Sequence, residues 1–126
     1  MFGIGRRKDP ELTAAVAALA AAGRVAFGGV GIAGATLPET EAYQRVAAIA
    51  ADHPDEVRGQ LDRLLTTGSP AARVYAATLL EQLDAAAGRT AWNRLRSDPA
   101  EVDTAVGCVL DRTTVGEYAA RRLDDS

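Results

Sequence analysis

Apolar residues recur at steps of three and four in several parts of this chain, which is the spacing of one face of an α-helix. The clearest case is residues 66–84, where Ser69 is a suitable N-cap and Pro70 fits the first helical position. The apolar face there consists of Ala72, Ala76, Leu79, Leu80 and Leu83. Val74 and Tyr75 flank that face, so this helix is apolar on most of its surface and is expected to lie at the centre of the fold.

Other helix starts are marked by prolines followed by acidic residues, because proline fits the first turn and acids there complement the helix dipole. Such starts occur at Pro10, Pro38 and Pro54. A further helix is expected over residues 84–96, and the sequence Thr-x-x-Glu at 114–117 is a capping box that starts the last one. The pattern therefore predicts short helices joined by short connections.

Two segments do not follow the helical pattern clearly. Residues 24–37 are apolar and glycine-rich and are expected to form a loop, either a hairpin between 25–27 and 30–32 or a crossover between helices. Their G-x-G-x-x-G sequence at 29–34 lacks the preceding strand of a dinucleotide-binding motif, so it is weak support for nucleotide binding. Residues 101–110 fit a helical stripe and an alternating strand almost equally well, although a glycine among them weakens the helix.

Composition limits the fold class and the partners. The 126 residues are 48% hydrophobic and 25% charged, so residues 9–123 are expected to form one all-α domain of short antiparallel helices. Residues 1–8 form a basic tail, and residues 124–126 form a frayed terminus. The net charge of −3 argues against nucleic acid as a partner, because phosphate binding requires a basic surface. A single cysteine forms no internal disulfide, which favours a cytoplasmic location.

Three pieces of the chain share a short pattern, in which a proline precedes an apolar residue, a polar residue and an apolar stripe that ends in a pair. They are Val57-Arg58-x-x-Leu61-x-x-Leu64-Leu65 after Pro54, Ala72-Arg73-x-x-Ala76-x-x-Leu79-Leu80 after Pro70, and Val102-Asp103-x-x-Val106-x-x-Val109-Leu110 after Pro99. Self-similar short helices stack as an α-solenoid, because no single pair buries its own face.

Over residues 54–110 this pattern resembles HEAT-type repeats, whose helices often carry a proline, then Val-Arg, then spaced Ala and Leu. Arg58 and Arg73 match that pattern, whereas Asp103 stands where the repeats have arginine. The resemblance implies a HEAT-like stack of helices and a scaffold or adaptor function. A compact helical bundle produces similar patterns and is the alternative architecture.

The function that this resemblance implies is a non-catalytic protein–protein interaction module, acting as an adaptor or as an inhibitor of the immunity-protein type through a helical groove. A basic protein is a concrete partner for a small acidic domain of this kind. Tyr43, Arg73, Tyr75 and Trp92 are the candidate partner-binding residues, since aromatic side chains and arginine dominate binding hot spots. Trp92, the one tryptophan, is also expected to anchor the core.

Membrane association is one alternative. Arg6, Arg7 and Lys8 precede the apolar residues 12–37, which are long enough to cross a bilayer and also resemble an export signal. A charge at Arg24, near the middle, and several glycines count against a membrane span. Peripheral membrane association through the basic tail and the apolar 12–37 segment is the form of this alternative that the sequence favours.

A small enzyme is the other alternative. Cys108 is a candidate nucleophile only if a base such as His53 lies near it in the fold, and on an apolar stripe it is expected to be a buried structural thiol. His53, beside Pro54, is expected to be a capping or surface residue, because no second histidine or cysteine pair is available to complete a metal site. The sequence therefore indicates no catalytic residue, no metal and no cofactor.

Overall fold

The computed structural model describes residues 10–27, 37–106 and 109–125. Six helices lie within these ranges: α1 (Pro10–Ala20), α2 (Pro38–Asp52), α3 (Pro54–Thr67), α4 (Pro70–Leu83), α5 (Ala85–Leu95) and α6 (Val115–Asp125). The described strands are β1 (Arg24–Val25), β2 (Glu101–Val106) and β3 (Val109–Thr114). The expected helical bundle is confirmed, and a small sheet is added to it. The predicted basic tail, the G-x-G-x-x-G sequence and Cys108 lie outside the described residues.

The helices begin where local capping chemistry directs them. Proline stands at the first position of α2, α3 and α4, where its missing N–H leaves no bond unmade. The Ser69 hydroxyl accepts a hydrogen bond from Ala72 N at 3.1 Å. The predicted capping box also forms, since the Glu117 N–H donates to Thr114 Oγ1 at 3.0 Å. These helix starts are therefore confirmed.

The connection between α2 and α3 is formed by His53. Its backbone N–H donates to Ile49 O and its carbonyl accepts from Val57 N, so one residue ends the first helix and begins the second. The side chain is exposed. The expectation that His53 is a capping or surface residue is confirmed.

Helix α4 lies at the centre of the fold, as its sequence predicts. It contacts the other five helices and the strands β1 and β2. The residues that it buries are Ala71, Ala72, Val74, Tyr75, Ala76, Ala77, Leu79 and Leu80. Many of them are alanines, so neighbouring helices approach α4 closely, and the core is built largely from small side chains around a few large ones.

Polar side chains on α4 and α2 fix the segment that follows α1. The Tyr75 hydroxyl donates to Ala26 O at 2.8 Å and accepts from Ala26 N at 2.7 Å. Thr40 Oγ1 donates to the same Ala26 carbonyl at 2.6 Å. Ser69 Oγ donates to Ala22 O at 2.7 Å. Because these backbone groups are buried, their hydrogen bonds are needed to avoid the cost of unsatisfied polar atoms.

The sheet has the strand order β1-β2-β3, with β1 parallel and β3 antiparallel to β2. Residues 101–106, 109 and 110 are therefore strand. Their burial alternates as a strand requires, since Val102 is buried in the core while Glu101 and Asp103 on either side of it are exposed. The repeat pattern predicts a helix for its third unit, the one after Pro99. That prediction is wrong, because the described residues of this unit lie in β2 and β3. The predicted hairpin partner at 30–32 lies outside the described residues, and within them β1 pairs with β2.

Replacing Tyr75 with phenylalanine should destabilise the protein by about 1–3 kcal/mol, because it leaves the Ala26 N–H buried without its acceptor. Urea unfolding followed by circular dichroism measures the change. Tyr43→Phe is the matched control, since among the described residues the Tyr43 hydroxyl bonds only to the exposed Gln82 amide, and its loss should cost about 0.5 kcal/mol or less. Equal losses in the two variants would contradict the role given to Tyr75.

Gly88→Ala should destabilise the protein by about 1–3 kcal/mol, because a Cβ at this position in α5 would overlap the Cα and Cβ of Glu81 on α4 and force the helices apart. Gly59→Ala in α3 is the control, as its Cβ would meet no atom within 4 Å. That change should stabilise the helix by about 0.5–1 kcal/mol. Thermal unfolding of both variants tests the pair, and a neutral Gly88→Ala would show that α4 and α5 are not in close contact there.

Candidate protein-binding site

Two of the four residues that the sequence indicates for partner binding are buried. Tyr75 is 0% exposed and Trp92 is 2% exposed, so neither offers a surface in this conformation. The expectation that Trp92 anchors the core is confirmed. Tyr43 is half-buried, and its hydroxyl accepts a hydrogen bond from Gln82 Nε2 at 2.6 Å. Tyr and Trp are common both as buried, hydrogen-bonded aromatics and as binding hot spots. The sequence alone therefore does not distinguish the two roles.

Arg73, the remaining candidate, is partly buried and is held in place by two interactions. Its Nη1 lies 2.7 Å from Asp98 Oδ2, and its Nε donates to Gly68 O at 3.1 Å. Asp98 also accepts from Ala100 N at 3.0 Å. The side chain therefore connects α4 to the segment between α5 and β2. A partner-binding role for Arg73 stays a prediction, and a partner would have to compete with Asp98.

The aromatic residues that the structure describes form two groups, and both reach the sheet. Phe27 lies against Tyr43 and Tyr75, with ring centroids 4.9 and 5.2 Å away. Trp92 lies 5.8 Å from Tyr118. Phe27 and Tyr118, which the sequence analysis does not select, are the members that reach a surface cleft. Tyr43, Tyr75 and Trp92 thus lie behind the residues that line this cleft.

The cleft lies between the sheet and α6 and has a volume of about 260 Å³. Its lining residues are Val25, Phe27, Thr104, Ala105, Val109, Asp111, Thr113, Tyr118 and Arg121. Sites for drug-sized ligands usually measure about 300–1,000 Å³, so this cleft suits one or two side chains better than a whole cofactor. Burial raises the pKa of the Tyr118 hydroxyl, which therefore stays neutral near physiological pH.

Strand β3 borders the cleft and, with β1, is one of the two outer strands of the sheet within the described part of the chain. Val109 and Leu110 on it are 66% and 70% exposed and are the exposed large apolar side chains of the described residues. An outer strand presents unpaired backbone N–H and C=O groups, and natural proteins usually protect such an edge with charge or cover. Apolar exposure makes this edge the candidate interaction surface.

The charges on β3 are arranged unequally. The Arg112 guanidinium lies 2.8 Å from Asp103 and 3.5 Å from Glu101, and the hydrogen bond with Asp103 raises the pKa of Arg112. Asp111 accepts the Arg112 backbone N–H at 2.8 Å. Among the described residues the Asp111 carboxylate forms no ion pair, so its charge at this edge is not neutralised.

A second groove of about 250 Å³ lies between α3 and α5 and is less suited to an apolar partner. Its rim carries Arg58 and Asp84, which are 3.6 Å apart, together with Asp62 and Arg94. Both partners of the Arg58–Asp84 pair are about half exposed, so water screens them and the pair contributes little to binding energy.

Two findings on the described residues bear on the enzyme and membrane alternatives. In residues 10–27, 37–106 and 109–125, no group of three or more His, Cys, Asp and Glu side chains is placed to hold a metal. No helix in these ranges is both long and apolar enough to cross a bilayer. Cys108 and the basic cluster at residues 6–8 lie outside them.

Comparison of the chain with protein-family models, with curated proteins and with solved structures returned no match. The candidate site therefore rests on its own geometry. The one sequence signal that points to this site is the alternation of apolar and polar residues at 101–110. A strand in that segment would leave apolar residues at its edge or its tip.

The α6 side of the cleft is fixed by Glu81 on α4. Its Oε1 accepts from Trp92 Nε1 at 3.1 Å and from Arg122 Nη2 at 2.6 Å. The Arg122 guanidinium also lies 5.8 Å from the centre of the Trp92 ring. Burial acts to raise the pKa of Glu81, but the hydrogen bonds from Arg122 and Trp92 outweigh it and lower the pKa below its ordinary 4.5.

Because the pKa of Glu81 is lower in the folded state, its charge stabilises the fold above pH 4.5, and this contribution is lost as the pH falls through the lower folded value. Glu81→Gln should therefore be less stable than the wild type near neutral pH, and the difference should shrink well below pH 4.5. The urea unfolding midpoints of wild type and Glu81→Gln, measured near neutral pH and well below pH 4.5, give this difference, and Trp92 emission serves as a local probe. A difference that does not change with pH would contradict it.

Proposed function

We propose that this protein is a non-catalytic protein-binding module, which binds an extended segment of a partner protein along the outer edge of β3. The observation that carries the proposal is the exposure of Val109 and Leu110 on an outer strand beside an apolar cleft. The groove expected between helix ridges is thus replaced by a groove between the sheet and α6.

Strand addition explains why the edge and the cleft occur together. A partner strand beside β3 would satisfy the unpaired backbone groups of the edge, and these hydrogen bonds supply affinity without reading the partner's sequence. Alternate side chains of such a strand point to the same face of the sheet. Those on the face of Val25, Phe27 and Tyr118 would enter the cleft, which gives the site its selectivity.

The membrane alternative is less well supported. Leu12, Ala15 and Leu19 of α1, which belong to the apolar segment that suggested it, are buried in the core and contact no solvent. They are therefore not available to insert into lipid. The basic tail remains as a point of attachment, and a single short cluster of positive charge gives only weak, salt-sensitive attachment.

Val109→Lys should abolish capture of a partner from lysate of the host, because a charge at this edge blocks the apolar contact and the close approach of another strand. Wild-type and variant proteins are used as bait, and the captured proteins are quantified by mass spectrometry. The control is Thr66→Lys, which adds the same charge on the exposed surface of α3. Both variants should keep the wild-type urea midpoint.

A partner captured equally by all three baits would show that β3 is not the binding surface. A partner lost with both lysine variants would show that added charge alone causes the loss, and the proposed site would again be wrong. Only a loss that is confined to Val109→Lys supports it.

A further inference from the structure

The side chains of β3 divide between the two faces of the sheet. Val109, Asp111 and Thr113 line the cleft, and by the alternation of a strand Leu110 and Arg112 point to the other face. A partner residue opposite Asp111 therefore lies on the cleft face. Its neighbours two positions away lie on the same face, opposite Val109 and Thr113.

The cleft face presents an acid to the incoming strand. Arg112 is directed across the sheet to β2, where Asp103 and Glu101 already neutralise it. Among the described residues, Asp111 accepts a hydrogen bond only from the Arg112 backbone N–H, and its side chain is exposed. Arg121 lines the cleft from α6, but no ion pair within 4 Å joins it to Asp111 in the described residues. A positive charge on the partner residue opposite Asp111 would therefore be favoured.

Pairing of β3 with a second copy of itself fits these charges poorly. Two antiparallel copies related by a two-fold axis must place some residue opposite its own equivalent. A register centred on Asp111 opposes two acids, and one centred on Arg112 opposes two guanidinium groups, which is destabilising in either case. The register centred on Leu110 avoids this but sets the apolar Val109 opposite Asp111.

We propose that β3 accepts an extended segment of a different protein that carries Lys or Arg opposite Asp111 and an apolar side chain two residues away, seated in the cleft. This rests on the proposed function and adds the chemistry of the partner. The recognised pattern is an alternation of apolar and basic positions on one face of a strand. The acidic edge residue selects the basic position, and the cleft selects the apolar one.

The probe is a fluorescent palindromic peptide with a central lysine, isoleucine two positions away on either side, and threonine elsewhere. Its palindromic sequence presents the same side chains whether it binds parallel or antiparallel to β3. The matched peptide has glutamate in place of lysine. Fluorescence polarisation at low salt should show binding about fivefold tighter for the lysine peptide, and the preference should fade at high salt.

Charge reversal at the edge separates this site from general electrostatic attraction. Asp111→Lys should reverse the preference between the two peptides, whereas Asp62→Lys on α3 gives the same net charge and should leave the preference unchanged. The comparison of the two peptides on the wild type needs no variant, so it stands even if Asp111→Lys fails to fold.

Equal affinity for the two peptides, with both weakened by Val109→Lys, would overturn the basic requirement and leave strand addition intact. Tighter binding of the glutamate peptide would overturn it as well and would point to Arg121 as the selecting charge. Failure of both peptides to bind would overturn the inference, and capture from lysate would then decide the proposed function independently.

Discussion

The hydrogen bonds between Tyr75 and Ala26 are the interaction on which the sheet and the cleft depend. Strand β1 has only two residues, Arg24–Val25, so its ladder with β2 cannot fix its position alone. The Tyr75 hydroxyl binds both backbone groups of Ala26, directly after that strand. Burial raises the pKa of Tyr75 to about 12, which keeps the hydroxyl a donor far above neutral pH. Through this contact α4 positions Val25 and Phe27 as one wall of the cleft.

Other polar residues on α4 and at its N-cap fix neighbouring parts of the fold through similar directed contacts. Ser69 holds the end of α1, Arg73 holds the segment before β2, and Glu81 holds Trp92 and α6. Each meets its partner at a place where a regular element ends or where two helices cross, so backbone hydrogen bonding alone does not fix the geometry there. A helix that is apolar on most sides gains its specificity from these few directed contacts, because apolar packing by itself tolerates several arrangements.

The part of the fold that sequence predicts is the part that depends on local chemistry. Prolines, the Ser69 cap and the Thr114–Glu117 capping box act within one turn, so the helix starts follow from a few residues each. The sheet depends on the pairing of Arg24 with Asp103, which are far apart in the chain, and no local pattern indicates that contact. The candidate site follows the same rule. Its lining includes Phe27 and Tyr118 from segments that meet only after folding, whereas the residues with hot-spot composition, Tyr75 and Trp92, are used inside.

These constraints also determine what kind of binding the site favours. One wall of the cleft, on β1, is fixed by Tyr75, and the other, on α6, is fixed by Glu81 through Trp92 and Arg122. Both walls are therefore held by α4, the most buried helix, and a ligand need not order them on binding. A pre-formed site loses less free energy to ordering than a flexible one, so under the proposed function even a short partner strand would bind with useful affinity. The flexible participant would then be the partner segment, whose ordering cost limits that affinity and keeps the complex reversible.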